Sequence, residues 1–256
     1  MARSVKKKKN RFLMYLLVLL FVGAAVLFAY LYRLDKETTM IRYREFGIAI
    51  PSNYKIHGID VSRYQQRIDW KAVKDMNIGG IRIEFAFIKA TEGTGRKDFL
   101  FARNWYQAKK AGIPRGAYHF FTPSRDGVAQ ARHFIRQVQL EPGDLPPVLD
   151  VEQSNGVARA IIQQRVREWL QEVETVYHVK PILYTNVHFY ERYLEGAFED
   201  YPLWVAHYLQ PHAPRIGRDW QFWQHSESGQ VNGIKGKVDF NVFRGDSIQF
   251  ARMLIK

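Results

Sequence analysis

The chain has 256 residues, 46% hydrophobic and 25% charged, which excludes wholesale disorder and leaves room for a substantial core. It has no cysteine, so a disulfide scaffold, a thiolate zinc site, a thiol nucleophile and a lipid-modified cysteine are all excluded. The formal charge of +13 is lopsided, because residues 1–42 hold nine Lys/Arg against two Asp/Glu.

In chain order, the first element is Phe12–Tyr32, a run of 21 residues without a charge, bracketed by Arg11 and Arg33. At a helical rise of about 1.5 Å per residue it reaches about 31 Å, the thickness of a bilayer's hydrocarbon core. The pattern predicts a single transmembrane helix over 12–32, with the lipid bilayer as a partner and Tyr30 and Tyr32 at an interface. Arg3, Lys6, Lys7, Lys8, Lys9 and Arg11 make residues 1–11 a basic cytoplasmic tail, which places everything after the span in a periplasmic or extracellular space. A cleaved signal peptide is the competing reading, although its apolar region is usually only about 7–15 residues. A basic cluster abutting a span is a topology signal, so no nucleic-acid partner is expected. Residues 33–53 are mixed and mostly polar, and read as a stalk.

From residue 54 to 256 the pattern is that of one α/β domain. Candidate strands are 56–61, 82–90, 114–121, 146–151, 181–185, 202–208, 220–225 and 235–240. Candidate helices are 70–76 after Asp69, 99–111 after Asp98 with Gly112 at its end, 125–139 after Ser124, and 157–177 after Asn155. Alternation of this kind predicts a parallel sheet with crossover helices. Eight strands with short loops between the last three predict a closed barrel that lacks some of its helices.

Four strand candidates carry acids near their ends: Asp60, Glu92, the pair Asp150 and Glu152, and Asp239. The C-terminal ends of strands in a β/α barrel share one mouth, so these groups would meet. Asp150 and Glu152 stand at i and i+2, on one side of a strand, with Cα atoms about 6.6 Å apart. Two carboxyls that close do not both ionise cheaply. A protonated acid beside a carboxylate is what glycosidic cleavage requires. An Asp-x-Glu tripeptide is weak by itself; its place after the apolar run 146–149 is what singles it out. Glu92, on a glycine-rich turn, reads as a loop-ordering residue. Tyr118, Tyr184, Trp204, Tyr208 and Trp223 fall near the mouth, where aromatic faces stack on pyranose rings; core packing is the competing reading for each. His119, inside an apolar strand, reads as a hydrogen-bonded core residue. There is no metal-binding histidine pair, no Walker lysine and no Gly-x-Ser-x-Gly elbow, so neither a metal nor a cofactor is expected.

Taken together, residues 56–246 resemble the glycoside hydrolase family 25 lysozymes, the N-acetylmuramidases. The resemblance is carried in order by Gly58-Ile59-Asp60-Val61-Ser62, Phe87-Ile88-Lys89-Ala90-Thr91-Glu92-Gly93, Gly116-Ala117-Tyr118-His119-Phe120 and Leu149-Asp150-Val151-Glu152. Tyr184-Thr185-Asn186, Leu203-Trp204-Val205-Ala206, Phe222-Trp223-Gln224 and Val238-Asp239-Phe240-Asn241 continue it. It implies an irregular TIM-like (β/α)5(β)3 barrel and hydrolysis of the β-1,4 bond between N-acetylmuramic acid and N-acetylglucosamine in peptidoglycan. It also implies Glu152 as general acid, Asp150 as stabiliser of positive charge, and Asp60 and Asp239 in the same acidic cleft. Phe240 stands where a smaller aliphatic residue is common in the family, and the apolar N-terminus is atypical of its secreted members. A silent peptidoglycan-binding module that ties membrane to wall, and a glycosidase acting on chitin-like polymers, are the alternatives.

Overall fold

The computed structural model describes residues 14–29 and 39–256. The chain divides into two units, Met1–Thr39 and Met40–Lys256. Of the first, residues 14–29 form a helix with every side chain exposed. At about 1.5 Å per residue it covers about 24 Å, short of the ~30 Å of a bilayer core. No helix among the described residues is long and apolar enough to cross a membrane. The expected span over 12–32 is therefore not supported by them, and its ends, 12–13 and 30–32, lie outside the described residues, as do residues 1–11.

The second unit is built on eight strands: β1 (Ile56–Val61), β2 (Ile81–Glu92), β3 (Arg115–Phe120), β4 (Val148–Asp150), β5 (Ile182–Asn186), β6 (Leu203–Ala206), β7 (Phe222–Gly229) and β8 (Val238–Phe243). Each pairs with the next, and β1 pairs with both β2 and β8, so the sheet closes on itself. Strands β1 to β7 run parallel; β8 is antiparallel to both neighbours. Helices α1 (Trp70–Asp75), α2 (Phe101–Lys110), α3 (Gly127–Ile135), α4 (Arg159–Tyr177) and α5 (Val187–Phe189) follow β1 to β5 in turn. The last three strands have no helix between them. This is the (β/α)5(β)3 arrangement expected from the sequence.

Boundaries follow local chemistry. Asp69 caps α1 as expected, its carboxylate accepting from the N–H groups of Lys71 and Ala72. β4 starts at Val148 rather than 146, because Pro146 and Pro147 have no N–H to give a ladder. α3 starts at Gly127, capped by Asp126 rather than Ser124. A Cβ at Gly127 would lie 2.2 Å from the Arg165 carbonyl oxygen, so the missing side chain lets α3 sit tightly on α4. α4 starts at Arg159 without a side-chain cap; Asn155, expected as its cap, takes a left-handed φ of 49° in a turn. Asp98 does not cap α2 directly, because Phe101 is the first helical residue. Its carboxylate instead accepts from the N–H groups of Leu100 and Arg63, tying the chain after β1 to the start of α2.

Two apolar layers follow from the period-two alternation of the strands. Inside the barrel are Ile56, Phe85, Phe87, Val148, Ile182, Phe222 and Phe243. Outside, under the helices, are Ile59, Val61, Ile88, Leu149, Leu183 and Phe240, joined by Ile83 across a register shift between β1 and β2. Gly58 makes space within the barrel, since a Cβ there would lie 2.4 Å from the Phe85 ring.

The stalk expected over 33–53 is corrected for residues 40–51, while 33–38 lie outside the described residues. Residues Met40–Tyr43 and Ile48–Pro51 pair as an antiparallel hairpin. Phe46, Ile48 and Ile50 are buried in the outer layer, with the Phe46 ring 5.3 Å from that of Phe240. The Gln230 N–H donates to the Phe46 carbonyl oxygen at 2.9 Å. The reason is structural: β7 and β8 have no crossover helix, so the hairpin covers their apolar outer face.

Candidate active site

The four predicted acids reach one cleft of about 210 Å³ at the C-terminal mouth of the barrel, together with Lys89, Tyr118 and Phe120. Asp60 is the fifth residue of β1. Asp150 closes β4, and Glu152 follows two residues on, so the expected same-side pair is present. Asp239 arrives by a different route from the one expected. It stands at the beginning of β8, not its end, and reaches the mouth because β8 runs antiparallel, with Asp239 directly opposite Asp60.

Asp60 is the best anchored of the four. One of its oxygens accepts from Gln224 Nε2 and Asn241 Nδ2, each at 2.8 Å. Those amides are themselves oriented. Gln224 Oε1 accepts from the Tyr184 hydroxyl at 2.9 Å and the Tyr208 hydroxyl at 2.6 Å, and Asn241 Oδ1 accepts from Trp204 Nε1 at 2.8 Å. Every donor in this network has an acceptor, so the floor of the cleft is fixed before a substrate arrives. The β1 exit is fixed as well: Ser62 N–H donates to Gln65 Oε1, and Gln65 Nε2 donates to the Lys237 carbonyl oxygen beside Asp239.

Asp150 contrasts with Asp60. It is 7% exposed, yet its Oδ1 has no hydrogen-bond partner. An unpartnered, buried carboxylate oxygen facing a cleft is costly unless a ligand engages it. Glu152 is half-buried and makes no hydrogen bond among the described residues, which leaves its carboxyl free to move.

Burial and mutual repulsion shift all four acids upward. Burial pushes Asp60 to about 6 despite hydrogen bonds from Asn241, Gln224 and Asp239 that pull the other way. Burial, then the charge of Asp60, pushes Asp239 to about 9. Asp150 is driven well above the carboxylate range by burial and then by Glu152, with Lys89 opposing. Glu152 is raised by burial and then Asp60, again against Lys89. The cleft therefore holds protons near neutrality that solvated carboxyls would have lost.

The aromatics divide. Tyr118 lines the cleft, with no hydrogen bond to its hydroxyl among the described residues, so it keeps a donor for a ligand. Tyr184 and Trp204 also line it, but their polar atoms are committed to Gln224 and Asn241. The Trp204 ring lies stacked at 4.4 Å on Phe87, so it is floor rather than an open face. Tyr208 reaches the site through Gln224. Trp223 does not belong to the cleft. Phe222 and Gln224 point inward, so the residue between them points out. Trp223 is fully buried against Leu203, Val205 and Trp220, with Tyr54 packed on its ring and Nε1 donating to the His207 carbonyl oxygen.

Glu92 and His119 behave as the sequence implies. Glu92 bridges Lys89 and Arg96 at 2.9 and 2.8 Å, which orders the turn after β2. His119 is buried between Thr91 and Gln130, and burial lowers it to about 3, so it stays neutral. Gln224, Asn241 and Lys89 are the site residues not singled out from the sequence. Each lay within a quoted motif, and the i, i+2 parity with Phe222, Asp239 and Phe87 is the signal that would have found them. No group of three or more metal-binding side chains occurs among the described residues.

Comparison with known proteins agrees with this geometry. A model of the family described as glycosyl hydrolases family 25 matches residues 59–234. Lysozyme M1 of Streptomyces globisporus is 36% identical over 78% of this chain and 70% of that protein. The uncharacterized protein YegX of Escherichia coli (strain K12) is 50% identical over 79% of this chain and 74% of its own length. Among solved structures, a family 25 glycosyl hydrolase from Bacillus anthracis superposes with a TM-score of 0.73 at 34% identity, over 80% of this chain and 95% of that one. With residues 59–234 matched and the carboxylate-lined barrel in place, the chain belongs to glycosyl hydrolase family 25.

Proposed function

We propose that this protein is an N-acetylmuramidase that hydrolyses the β-1,4 bond between N-acetylmuramic acid and N-acetylglucosamine in peptidoglycan. The observation that carries the reading is the convergence of four carboxyls on one cleft, with a buried oxygen of Asp150 left unpartnered. Family membership and the likeness to Lysozyme M1 support it.

Glu152, whose proton affinity is raised by burial and then by the charge of Asp60, donates a proton to the leaving glycosidic oxygen. The substrate's 2-acetamido oxygen closes on the anomeric carbon as the bond breaks. The unpartnered Asp150 oxygen accepts from the acetamido N–H, and as a carboxylate Asp150 answers the resulting positive charge, a proton held at rest passing to solvent as the substrate engages it. Glu152, now a carboxylate, takes a proton from the water that opens the cyclic intermediate. Two inversions at one carbon give net retention. Asp60 supplies negative charge to the cleft, Asp239 opposite it keeps its proton near neutrality, and the Gln224–Asn241 network keeps Asp60 in place.

The same proposal puts the enzyme on a membrane. Residues 14–29 are an exposed helix without a polar charge, and the basic residues 3–11 precede it, so the N-terminus would be cytoplasmic and the barrel periplasmic or extracellular.

The test is fragment analysis. The full chain, incubated with purified peptidoglycan in isotopically labelled water, is expected to release fragments ending in muramic acid, in the β configuration, with the label at the new reducing end. Reducing ends on N-acetylglucosamine, or no fragments at all, would defeat the muramidase reading. The α anomer would defeat the acetamido route alone. The full chain should also sediment with membranes after an alkaline wash, and recovery in the soluble fraction would remove the anchor.

A further inference from the structure

A second cavity, of about 320 Å³, opens beside the catalytic cleft, and the two share a wall at Phe120. It is formed by the turns that follow β2, β3 and β4. The wall is charged and well tied. Lys89 Nζ sits 4.5 Å over the Phe120 ring and pairs with Glu92, whose other oxygen takes Arg96. The charge of Arg96 is thus answered by Glu92. Arg125 is different: it lines the cavity, and its guanidinium makes no hydrogen bond or ion pair among the described residues. Its backbone is nonetheless fixed, with its N–H on the Thr122 carbonyl oxygen at 2.9 Å and its own carbonyl oxygen accepting from Gln130 Nε2 at 3.3 Å. The neighbouring Asp126 is occupied at the start of α3, where it accepts from the Ala129 N–H. Thr122, Gln153 and Asn155 supply neutral polar atoms around it.

The mouth therefore changes sign over a short distance, from four carboxyls to an unanswered cation. A peptidoglycan strand presents the matching pattern. Its sugar rings are neutral, while each muramic acid carries at O3 a lactyl group continued by a peptide with free carboxylates. The carboxyl-lined cleft offers such a stem no unpaired cation, whereas the adjoining cavity offers it the exposed Arg125 guanidinium on a fixed backbone. We infer that this cavity is a subsite for the acidic stem peptide, with Arg125 as its charge partner; the inference rests on the muramidase reading.

The experiment compares two substrates with the full-length protein: glycan strands bearing their stems, and the same strands after the stems are removed by an amidase. The amidase removes the peptide with its own carboxylates and turns the lactyl amide into a free carboxylate, so a loss on stem-bearing strands alone reports the stem and an equal loss on both reports contact with the lactyl position. Arg125→Ala is expected to lower kcat/KM about five- to tenfold on stem-bearing strands, the size of one solvent-accessible charge-assisted hydrogen bond. The loss should lie in KM, because the stem is held equally in ground and transition states. Stripped strands should be cleaved at the wild-type rate, and Arg125→Lys should recover much of the loss. An equal loss on both substrates, or none on the stem-bearing one, overturns the subsite while wild-type cleavage of stripped strands upholds the muramidase reading. A wild type inert on both substrates removes that reading and the subsite with it.

Discussion

Glu152→Gln is expected to lower kcat on peptidoglycan by about a thousandfold, within the range removed when a general acid loses its proton. The substitution is nearly isosteric, and Glu152 makes no hydrogen bond among the described residues, so the fold has little to lose. Thermal unfolding should move by no more than about 1 kcal/mol. The size of the loss should depend on the leaving group. An aryl glycoside, which departs without a proton, should be hydrolysed far closer to the wild-type rate than peptidoglycan. Asp150→Asn should behave differently. It removes the charge that answers the developing cation but leaves an amide able to contact the acetamido group, and its loss should persist with the aryl substrate. Turnover of peptidoglycan by Glu152→Gln within tenfold of wild type, or equal losses on both substrates, would assign the proton to another group. Asp239, raised further than Asp60, would then be the first candidate.

Much of this site was legible because β-strand side chains obey a period of two. Asp60, Asp150 and Glu152 each follow an apolar run, and chain order placed them at one mouth. Asp239 was placed there for an incomplete reason. Hydrophobic pattern fixes where a strand lies but not its direction, and only the pairing of β8 with β1 puts the start of that strand beside Asp60. Trp223 was misplaced by proximity in sequence. It lies one residue from Gln224 yet on the other side of the sheet, because one step along a strand reverses the face. Tyr184 and Trp204 were located correctly but given a freer role than their bonds to Gln224 and Asn241 permit. The hairpin over residues 40–51 was hidden for a tertiary reason. Phe46, Ile48 and Ile50 are too few to look like a core, and their value appears only once β7 and β8 are seen to lack helices.

Asp239→Asn is expected to stabilise the protein above neutrality, because the cleft is held together against its own charge. Asp60 and Asp239 titrate at about 6 and 9 in the folded protein, against about 3.9 for an unfolded aspartate. Between those values the folded state binds more protons than the unfolded one, so stability falls as pH rises. Their favourable contribution is complete below about pH 4 and is lost through 6 for Asp60 and 9 for Asp239. Buried histidines act in the opposite sense. Burial lowers His57 to about 4 and both His119 and His225 to about 3, so acidification below about 6.5 favours the unfolded state, which takes up their protons. The two sets together predict a dome of stability with its top near pH 6. The variant should lift the curve progressively from about pH 4 upward. Measured by denaturant unfolding, it should be more stable than wild type by a few kcal/mol at pH 8, up to the limit of about 1.4 kcal/mol per pH unit above 4, with the difference vanishing toward pH 4. Parallel curves across that range would mean that Asp239 is ionised at little cost. Retaining an acid that destabilises the fold in this way is the expected signature of a group kept for its chemistry, since an amide at the same position would satisfy the fold better.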